Sequence, residues 1–447
     1  MTTRLQRRAA LPSTTRGLSV CLFALLSVAS AVGCSSEPGK GDSLDSGGAS
    51  SLAGKAGSSA AGQGQTEASG GSAGVAGSPA GGAAVAGGGA TSAAGAGSTN
   101  GGAMNGGGAG SAGGPGAGAS GGASIPAVHY VGRVDTSDPT VARFAWSGTG
   151  AIVRFNGSGA SVDLDGGQEY TVVVDGTVQP KLVAKKGANT LAQGLAAGEH
   201  SVELYRRTEA NQGESEIHGF DFGGGQLLAP RPVTRRLEFI GDSITCGYGD
   251  EGADASCGFT AQTENHYLTY AAITARNLQA ELSTVAWSGK GVVCNYGDDA
   301  NSCTDPLPTY YNRTLPNRAD SVWDFSLFQP DAVVINLGTN DLSTNSDPDQ
   351  ATFESAYKAL LVRVRQAYPN ARILCTNGPL LSGTDLDTVR RYIGDVVTAL
   401  ADPKISTFEI APQDGSDGYG CDYHPSLERH KKMATVVTAA LKTALGW

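Results

Sequence analysis

The chain of 447 residues has no excess of basic side chains. Its 32 lysines and arginines are outnumbered by 42 aspartates and glutamates, which gives a formal net charge of −10. Nucleic acid and anionic membrane surfaces attract positively charged proteins, so we expect neither as a partner of the folded part. The sequence also contains no CxxC…CxxC or HExxH pattern. Because these spacings mark the common zinc sites, we expect no metal.

The apolar run nearest the N-terminus is too short for a comfortable membrane span. Residues 17–33 are also rich in Ala and Ser, whereas a spanning helix needs about 20 mainly apolar residues. Four arginines precede the run: Arg4, Arg7, Arg8 and Arg16. Basic residues, a short apolar core and small residues are typical of a bacterial export signal. We therefore expect residues 1–34 to direct export.

The end of this segment, Ala31-Val32-Gly33-Cys34, resembles a lipobox. In a lipobox the cysteine receives lipid after the signal is cleaved. We therefore expect Cys34 to carry a lipid anchor, which would be the protein's contact with the membrane at the cell envelope. Ordinary secretion, with cleavage near the same place, is the alternative.

The next segment, residues 35–125, lacks the residues of a hydrophobic core. Within it, residues 51–123 are about four-fifths Gly, Ala and Ser, with scarcely any aromatic or charged side chain. Such a segment cannot bury enough apolar surface to offset a backbone entropy of about 1–2 kcal/mol per residue. We expect a disordered linker with a root-mean-square reach of about 50 Å, which holds the folded part away from the envelope.

Eight cysteines are present, of which Cys21 and Cys34 belong to the expected signal. The remaining six are Cys246, Cys257, Cys294, Cys303, Cys375 and Cys421. An even number in an exported protein favours disulfides, although six cysteines allow about fifteen pairings. We expect Cys294 to pair with Cys303, because they are nine residues apart in a loop rich in Gly, Asp and Asn.

Residues 126–230 have the pattern of a β domain. Short segments, several of which alternate apolar and polar residues, are divided by Gly, Asp and Asn turns. The strand candidates are Ala142–Trp146, Ala151–Phe155, Ala160–Leu164, Tyr170–Val174 and His200–Tyr205. Many short strands at this spacing predict a β-sandwich or jelly roll. Such a domain is often a carbohydrate-binding module, but the pattern fits a packing partner for its neighbour equally well.

Residues 231–447 alternate strand and helix patterns. The strand candidates are Arg236–Ser243, Leu282–Ser288, Ala332–Gly338, Arg372–Asn377 and Ile405–Ile410. Residues 351–368 and 386–400 place apolar side chains on one helical face, and a last helix follows residue 427. Five strands joined by helical crossovers predict a three-layer α/β/α domain with a parallel sheet. Its active site belongs at the carboxyl ends of the strands.

Four residues with suitable chemistry follow these strand ends in order. Ser243 ends the first strand in Gly-Asp-Ser, where an α/β hydrolase presents its nucleophile. Gly289 and Asn340 follow the second and third strands, and both offer N–H donors to an anion. His424 precedes the last helix. Each signal is weak alone, because turns and caps use the same residues, but their order at successive strand ends predicts a hydrolytic site.

The blocks around these residues, GDSITCGYG, SGKG, GTND and DYHPS, resemble those of the SGNH (GDSL) hydrolase superfamily. More narrowly, they resemble carbohydrate esterase family two, which includes acetylxylan esterases. The long GDSITCGYG block, Thr263-Glu264-Asn265 and the preceding β-rich part support the narrower family. Four segments of that part resemble the family's jelly-roll half: Gly132–Asp135, Arg143–Trp146, Val174–Gly176 and Arg207–Glu209. The resemblance covers residues 129–447.

This resemblance implies a serine esterase without a metal or organic cofactor. Ser243 would be the nucleophile and His424 the general base and acid. The backbone N–H groups of Ser243 and Gly289 and the side-chain amide of Asn340 would form the oxyanion hole, since acyl transfer needs donors aimed at the tetrahedral oxyanion. The implied reaction removes O-acetyl groups from polysaccharides such as acetylated xylan or glucomannan through an acetyl-serine intermediate.

The chain departs from the superfamily pattern beside His424. The usual acid stands three residues before the histidine, where this chain has Cys421. Some family members use a Ser–His dyad whose imidazole is oriented by a backbone carbonyl, and this chain resembles them. The alternative is that Asp422, or Asp417 of the same loop, reaches Nδ1 of His424. We expect Cys421 either to pair with Cys375 or to remain buried and unpaired.

Aromatic residues of the loops offer a platform on which sugars could stack. The substrate-binding candidates are Trp287, Tyr296 and Tyr423. We expect a monomer whose partner is an acetylated polysaccharide or oligosaccharide. Two other functions stay open: an SGNH hydrolase of other ester specificity, and a non-catalytic carbohydrate-binding surface lipoprotein.

Overall fold

The computed structural model describes residues 128–447, except residues 167, 300, 301 and 344–346. The expected export signal with Cys34, and the expected linker over residues 35–125, lie outside the described residues. Within the described part, antiparallel sheets precede a parallel sheet flanked by helices. This is the order of the β domain and the α/β/α domain that the sequence predicts.

Two antiparallel sheets form the β-sandwich. Its strands are β1 (His129–Val131), β2 (Ala142–Phe144), β3 (Gly150–Asn156), β4 (Ala160–Asp165), β5 (Glu169–Val174), β6 (Thr177–Val178), β7 (Leu182–Val183), β8 (Gly187–Ala192), β9 (Glu199–Arg206), β10 (Ser215–Asp221) and β11 (Gln226–Leu228). One sheet has the order β1-β3-β9-β5-β6, with β11 paired to β3 and β7 to β5. The other has the order β2-β10-β4-β8. Phe144, Phe155 and Leu204 belong to the apolar core between them.

The five strands predicted in this domain are confirmed as β2, β3, β4, β5 and β9. The prediction missed β8 and β10, which complete the second sheet. In β10 the register shifts between Ile217 and Gly219, and a glycine inside a bulged strand has the sequence pattern of a turn. The other missed strands have two or three residues each, too few to show a period.

The α/β/α unit is built on five parallel strands. They are β12 (Arg236–Gly241), β13 (Glu281–Ala286), β14 (Ala332–Asn336), β15 (Arg372–Thr376) and β16 (Ile405–Thr407). Their order in the sheet is β13-β12-β14-β15-β16. The helices are α1 (Ser243–Cys246), α2 (Tyr270–Asn277), α3 (Gln350–Ala367), α4 (Gly383–Leu400) and α5 (Leu427–Leu445). None of these described helices is long and apolar enough to cross a membrane.

The helices cover both faces of this sheet. On one face, Val333 and Ile335 of β14 share a core with apolar residues of α3 and α4. On the other face, Val334 of the same strand packs with residues of α2 and α5. Because successive strand residues point to opposite faces, β14 is apolar throughout. All five predicted strands are confirmed, and the sheet brings their carboxyl ends to one edge.

Arg133 of the sandwich is completely buried against the α/β/α unit. Its guanidinium donates to Glu238 of β12 at 3.2 Å and to the carbonyl of Tyr311. The rings of Tyr311, Trp323 and Phe325 lie 5.0, 5.5 and 5.3 Å from its Cζ. A buried charge is tolerated when it is paired and hydrogen-bonded. The sandwich is therefore packed into the α/β/α unit through a specific polar contact.

Candidate active site

Ser243 lies at the carboxyl end of β12 and begins α1. The strand ends at Gly241, two residues earlier than predicted, and a Cβ at that position would collide with the side chain of Thr245. Asp242 caps the helix, since its Oδ1 accepts from the N–H of Ile244 at 3.0 Å. Burial raises the pKa of Asp242 to about 7. The sharp turn from strand to helix leaves Ser243 6% exposed at the edge of the sheet.

His424 lies on the loop before α5 and faces this serine. Its Nε2 is 2.8 Å from Ser243 Oγ, and its Nδ1 is 3.2 Å from the backbone carbonyl of Cys421. Burial lowers the pKa of His424 to about 4. The imidazole is therefore neutral near pH 7, and its Nε2 can accept a proton from the hydroxyl.

Neither aspartate of the loop has its carboxylate at Nδ1 of His424. Asp422 accepts a hydrogen bond from the hydroxyl of Tyr248 at 2.6 Å, and the Tyr248 ring stacks on the imidazole with centroids 4.1 Å apart. Asp417 pairs instead with Arg429 and Lys432 of α5. The arrangement is that of a dyad whose histidine is oriented by main chain.

Two consecutive residues of this loop have left-handed backbone conformations. Asp422 has φ 50° and Tyr423 has φ 61°, in a region that residues other than glycine rarely adopt. The backbone N–H of His424 donates to the Cys421 carbonyl at 3.0 Å, the same oxygen that faces Nδ1. The tight turn thus brings the histidine side chain back over the peptide that orients it.

Both expectations for Cys421 are wrong: it neither pairs with Cys375 nor remains an unpaired thiol. Cys421 forms a disulfide with Cys257, while Cys375 is a free, buried cysteine. Cys375 lies in β15 and belongs to the core that includes apolar residues of α3 and α4. The histidine loop instead pairs with the loop after α1, because Cys421 N–H donates to Gly249 at 3.0 Å and Asp422 N–H donates to Cys257 at 2.9 Å.

Two of the three expected oxyanion donors, Gly289 and Asn340, lie on loops that contact each other, and Ser243, the third, begins α1. Gly289 follows β13 with φ 76°, a left-handed conformation suited to glycine. Asn340 follows β14, and its Nδ2 donates to the carbonyl of Lys290 at 2.9 Å and lies 3.5 Å from Asp242 Oδ2. The amide of Asn340 therefore joins the Gly289 loop to the turn that carries Ser243.

Asp341, the last residue of GTND, is a further residue beside the site that the sequence analysis does not single out. Its buried carboxylate accepts from the backbone N–H groups of Val292, Val293 and Cys294 at 2.7–3.1 Å. Burial raises the pKa of this carboxyl, and the three donors oppose the shift. The structure also joins Cys294 to Cys303, the pairing that the spacing predicts. Both features fix the loop that follows Gly289.

The three substrate-binding candidates differ in exposure. Tyr296 is 68% exposed and Tyr423 is 64% exposed, so both rings are open to solvent. Trp287 is half-buried and packs against Tyr310 with ring centroids 4.9 Å apart. Lys290 Nζ lies over the same two rings, at 5.7 and 5.1 Å. Tyr296 and Tyr423 present more ring surface to solvent than Trp287 does.

Two families match successive parts of the chain. Carbohydrate esterase 2 N-terminal matches residues 130–232, and the GDSL-like Lipase/Acylhydrolase family matches residues 239–432. The first match ends after the last strand of the sandwich, and the second begins within β12, the first strand of the parallel sheet in sequence.

Several known proteins are similar over the same region. Cellulase/esterase CelE of Acetivibrio thermocellus is 47% identical in an alignment of 331 residues that covers 72% of this chain and 40% of that protein. The chain thus spans less than half the length of that relative. An acetylxylan esterase / glucomannan deacetylase of Cellvibrio japonicus is 29% identical in an alignment of 338 residues that covers 73% of this chain and 91% of that protein.

A solved structure has the same two-part architecture. A family two carbohydrate esterase from Clostridium thermocellum in complex with cellohexaose is 45% identical, with a TM-score of 0.68. The match covers 72% of this chain and 100% of that one. Together with the two matched families and the esterase relatives, it establishes that this chain belongs to the family two carbohydrate esterases and is a carboxylic ester hydrolase.

Proposed function

We propose that the protein removes O-acetyl groups from polysaccharides such as acetylated xylan or glucomannan, with Ser243 and His424 as its catalytic residues. The observation that carries the proposal is the 2.8 Å contact between Ser243 Oγ and His424 Nε2. A hydroxyl becomes an effective nucleophile when a neutral imidazole takes its proton. The names of the Cellvibrio relative and of the cellohexaose complex support an acetylated polysaccharide as the substrate class.

In the first half of the reaction, Ser243 Oγ bonds to the acetyl carbonyl carbon while its proton moves to His424 Nε2. The carbonyl oxygen becomes an oxyanion, which accepts hydrogen bonds from the N–H groups of Ser243 and Gly289 and from the Asn340 amide. The tetrahedral intermediate then breaks its bond to the sugar oxygen, and that oxygen takes the proton from His424. The deacetylated sugar leaves, and Ser243 carries the acetyl group.

In the second half, water replaces the sugar. His424 Nε2 removes one proton as the water oxygen bonds to the acetyl carbon, and the same donors stabilise the second oxyanion. Collapse breaks the bond to Ser243 Oγ, which recovers its proton from His424. The product is acetic acid, which releases its proton to solvent as acetate, and the enzyme returns to its starting state.

Acetate release tests this function. The wild type and Ser243→Ala are compared on acetylated xylan, acetylated glucomannan and a simple aryl acetate. We expect acetate from the polysaccharides with the wild type and none above background with the variant. Hydrolysis of the aryl acetate alone would favour an SGNH hydrolase of other specificity, and polysaccharide binding without any acetate release would favour a non-catalytic surface protein.

We further propose that residues 1–34 export the protein and that lipid on Cys34 anchors it to the cell envelope. The support is the basic, apolar and lipobox-like order of the sequence. Cys34→Ala should move the protein from the membrane fraction to the soluble extracellular fraction. An unchanged distribution would contradict the anchor.

A further inference from the structure

Glu209 is a buried carboxylate that the reaction above does not use. It follows β9 of the sandwich, within the Arg207–Glu209 segment, and is 0% exposed. Burying a carboxylate is costly unless strong hydrogen bonds compensate for the lost water. An apolar residue at this position would avoid that cost in folding free energy, so the contacts of the carboxylate are where a role is to be sought.

The side chain of Glu209 touches both parts of the candidate site in the α/β/α unit. Its Oε2 accepts a hydrogen bond from the backbone N–H of Ser288 at 2.7 Å. The same oxygen is 3.8 Å from the Sγ of Cys246. Ser288 immediately precedes Gly289, and Cys246 is the last residue of the helix that Ser243 begins. One carboxylate from the sandwich thus joins the oxyanion loop to the nucleophile helix.

The backbone of Glu209 is held by hydrogen bonds at its carbonyl and at its N–H. Arg206 donates to the backbone carbonyl of Glu209 at 2.7 Å, and the N–H of Glu209 donates to the buried carboxylate of Glu264 at 3.3 Å. One carboxylate oxygen of Glu209, one of Glu264 and the Sγ of Cys246 all lie within 4.8 Å of one another. Among the described residues, the Oε1 atoms of both glutamates have no hydrogen-bond partner. The Glu209 carboxylate therefore makes one short hydrogen bond, to the Ser288 N–H at 2.7 Å, and a longer contact to the Cys246 Sγ at 3.8 Å.

The Gly289 peptide is held from two directions. On one side Glu209 fixes the N–H of Ser288, and on the other the carbonyl of Gly289 accepts from the N–H of Tyr296 at 2.8 Å. Gly289 itself restricts the peptide little, because its φ is 76° and a glycine has no Cβ. A turn hydrogen bond from the Lys290 N–H to the Trp287 carbonyl at 3.3 Å also spans Ser288 and Gly289. Together with this turn, the bonds to Ser288 and Gly289 limit the direction of the Gly289 N–H.

We propose that Glu209 is a positioning residue: through its hydrogen bond to Ser288, the sandwich sets the direction of the oxyanion-hole N–H of Gly289. This inference rests on the proposed function, since it assumes that Gly289 stabilises the oxyanion. The sandwich then contributes to the chemical step itself, across a separation of 79 residues in sequence.

The test compares Glu209→Gln with Glu209→Met. The two side chains have similar volume, but only the amide oxygen of glutamine can accept the Ser288 N–H bond. We expect Glu209→Met to lower kcat on an aryl acetate by about 10- to 100-fold with KM within about threefold, since removing an oxyanion donor costs about 10²–10³. Glu209→Gln should retain kcat within about threefold. Inactivation of Ser243 by an aryl phosphonate, which forms the same oxyanion geometry, should slow in parallel with kcat.

Two further variants serve as controls for a general loss of packing between the units and for misfolding. His129→Ala removes another contact between the sandwich and the α/β/α unit, to Glu281 at 2.5 Å, and should leave kcat unchanged. Should Glu209→Met fail to fold, Glu209→Asp keeps the charge but falls one methylene short of Ser288, and it should lose kcat as well. Full activity in the folded Met or Asp variant, or an equal loss in Gln and Met, would overturn the positioning role. Activity that survives Ser243→Ala would instead overturn the proposed function.

Discussion

The imidazole of His424 is oriented by a peptide carbonyl and an aromatic ring rather than by a carboxylate. Cys421 supplies the carbonyl at Nδ1, and Tyr248 supplies the stacked ring. A carbonyl dipole stabilises the imidazolium less than a full negative charge would, while burial penalises it. This explains why the pKa of His424 falls to about 4 instead of rising. The base is weak but neutral, and it is held in one tautomer.

Replacing Asp422 tests this arrangement directly. We expect Asp422→Asn to change kcat by less than about threefold, because the carboxylate bonds to Tyr248 at 2.6 Å and an amide oxygen can accept the same hydrogen bond. Ser243→Ala and His424→Ala, measured beside it on an aryl acetate, should abolish turnover. A loss of about 10⁴ in Asp422→Asn, the scale of a missing triad acid, would contradict the dyad.

The pH dependence of kcat/KM is a second test at the residue scale. The base must be neutral to accept a proton, so activity is lost as pH falls through its pKa in the free enzyme. For His424 this pKa is about 4. In Asp242→Asn, which removes the neighbouring carboxyl whose pKa is about 7, kcat/KM should therefore stay level from pH 7 to about 5. An acid limb centred near the ordinary histidine value of about 6.5 would contradict the assigned environment. The aryl acetate suits the measurement, because it has no group that ionises in this range.

At the scale of elements, the parallel strands were predictable and the histidine loop was not. Residues 332–335 are apolar on both faces, and a pattern of this kind depends only on local sequence. The loop depends on a disulfide between residues 164 apart and on left-handed backbone at Asp422 and Tyr423. Neither a distant partner nor a positive φ at an ordinary residue leaves a periodic signal. The sequence therefore indicated where His424 lies, and the resemblance implied a backbone carbonyl at its imidazole, but neither indicated the disulfide that holds the loop.

The Cys257–Cys421 disulfide should support both stability and catalysis. We expect Cys257→Ser/Cys421→Ser to lower kcat by roughly 10- to 100-fold, because the freed loop lets the orienting carbonyl move and small misplacements are costly. The variant should also unfold more easily, by up to about 5 kcal/mol on the chain-entropy model for a cross-link of this span. Aryl acetate kinetics and urea unfolding measure the two effects.

Cys294→Ser/Cys303→Ser provides the matched comparison. This bridge closes a loop of nine residues, for which the same model gives about 2.5 kcal/mol. Its loss should therefore destabilise the protein less than the loss of Cys257–Cys421. Equal destabilisation, together with unchanged kcat in the Cys257→Ser/Cys421→Ser variant, would contradict a role of that bridge in holding His424.

On the scale of the whole molecule, buried polar side chains of the sandwich make hydrogen bonds to the α/β/α unit. Arg133 and Glu209 both come from the sandwich, and each makes its main side-chain contacts with the other unit. The sequence fits two interpretations of the β domain equally well: a carbohydrate-binding module, and a packing partner for the α/β/α unit. The contacts that distinguish them join residues 79 to 178 positions apart, and no local pattern encodes such a separation. The contacts favour the packing partner.

Arg133→Met should destabilise the whole protein by about 3–5 kcal/mol in urea unfolding. The change leaves Glu238 buried without its counter-charge, although the hydroxyls of Tyr311 and Tyr368 still donate to it at 3.0 Å. Adding Glu238→Gln should recover part of this loss, because the uncompensated charge is then gone. Arg154→Met removes a partly exposed pair with Glu199 and a hydrogen bond to the Ala229 carbonyl, and it should cost about 1–2 kcal/mol. Equal losses in Arg133→Met and Arg154→Met would mean that the buried pair does not hold the two units together.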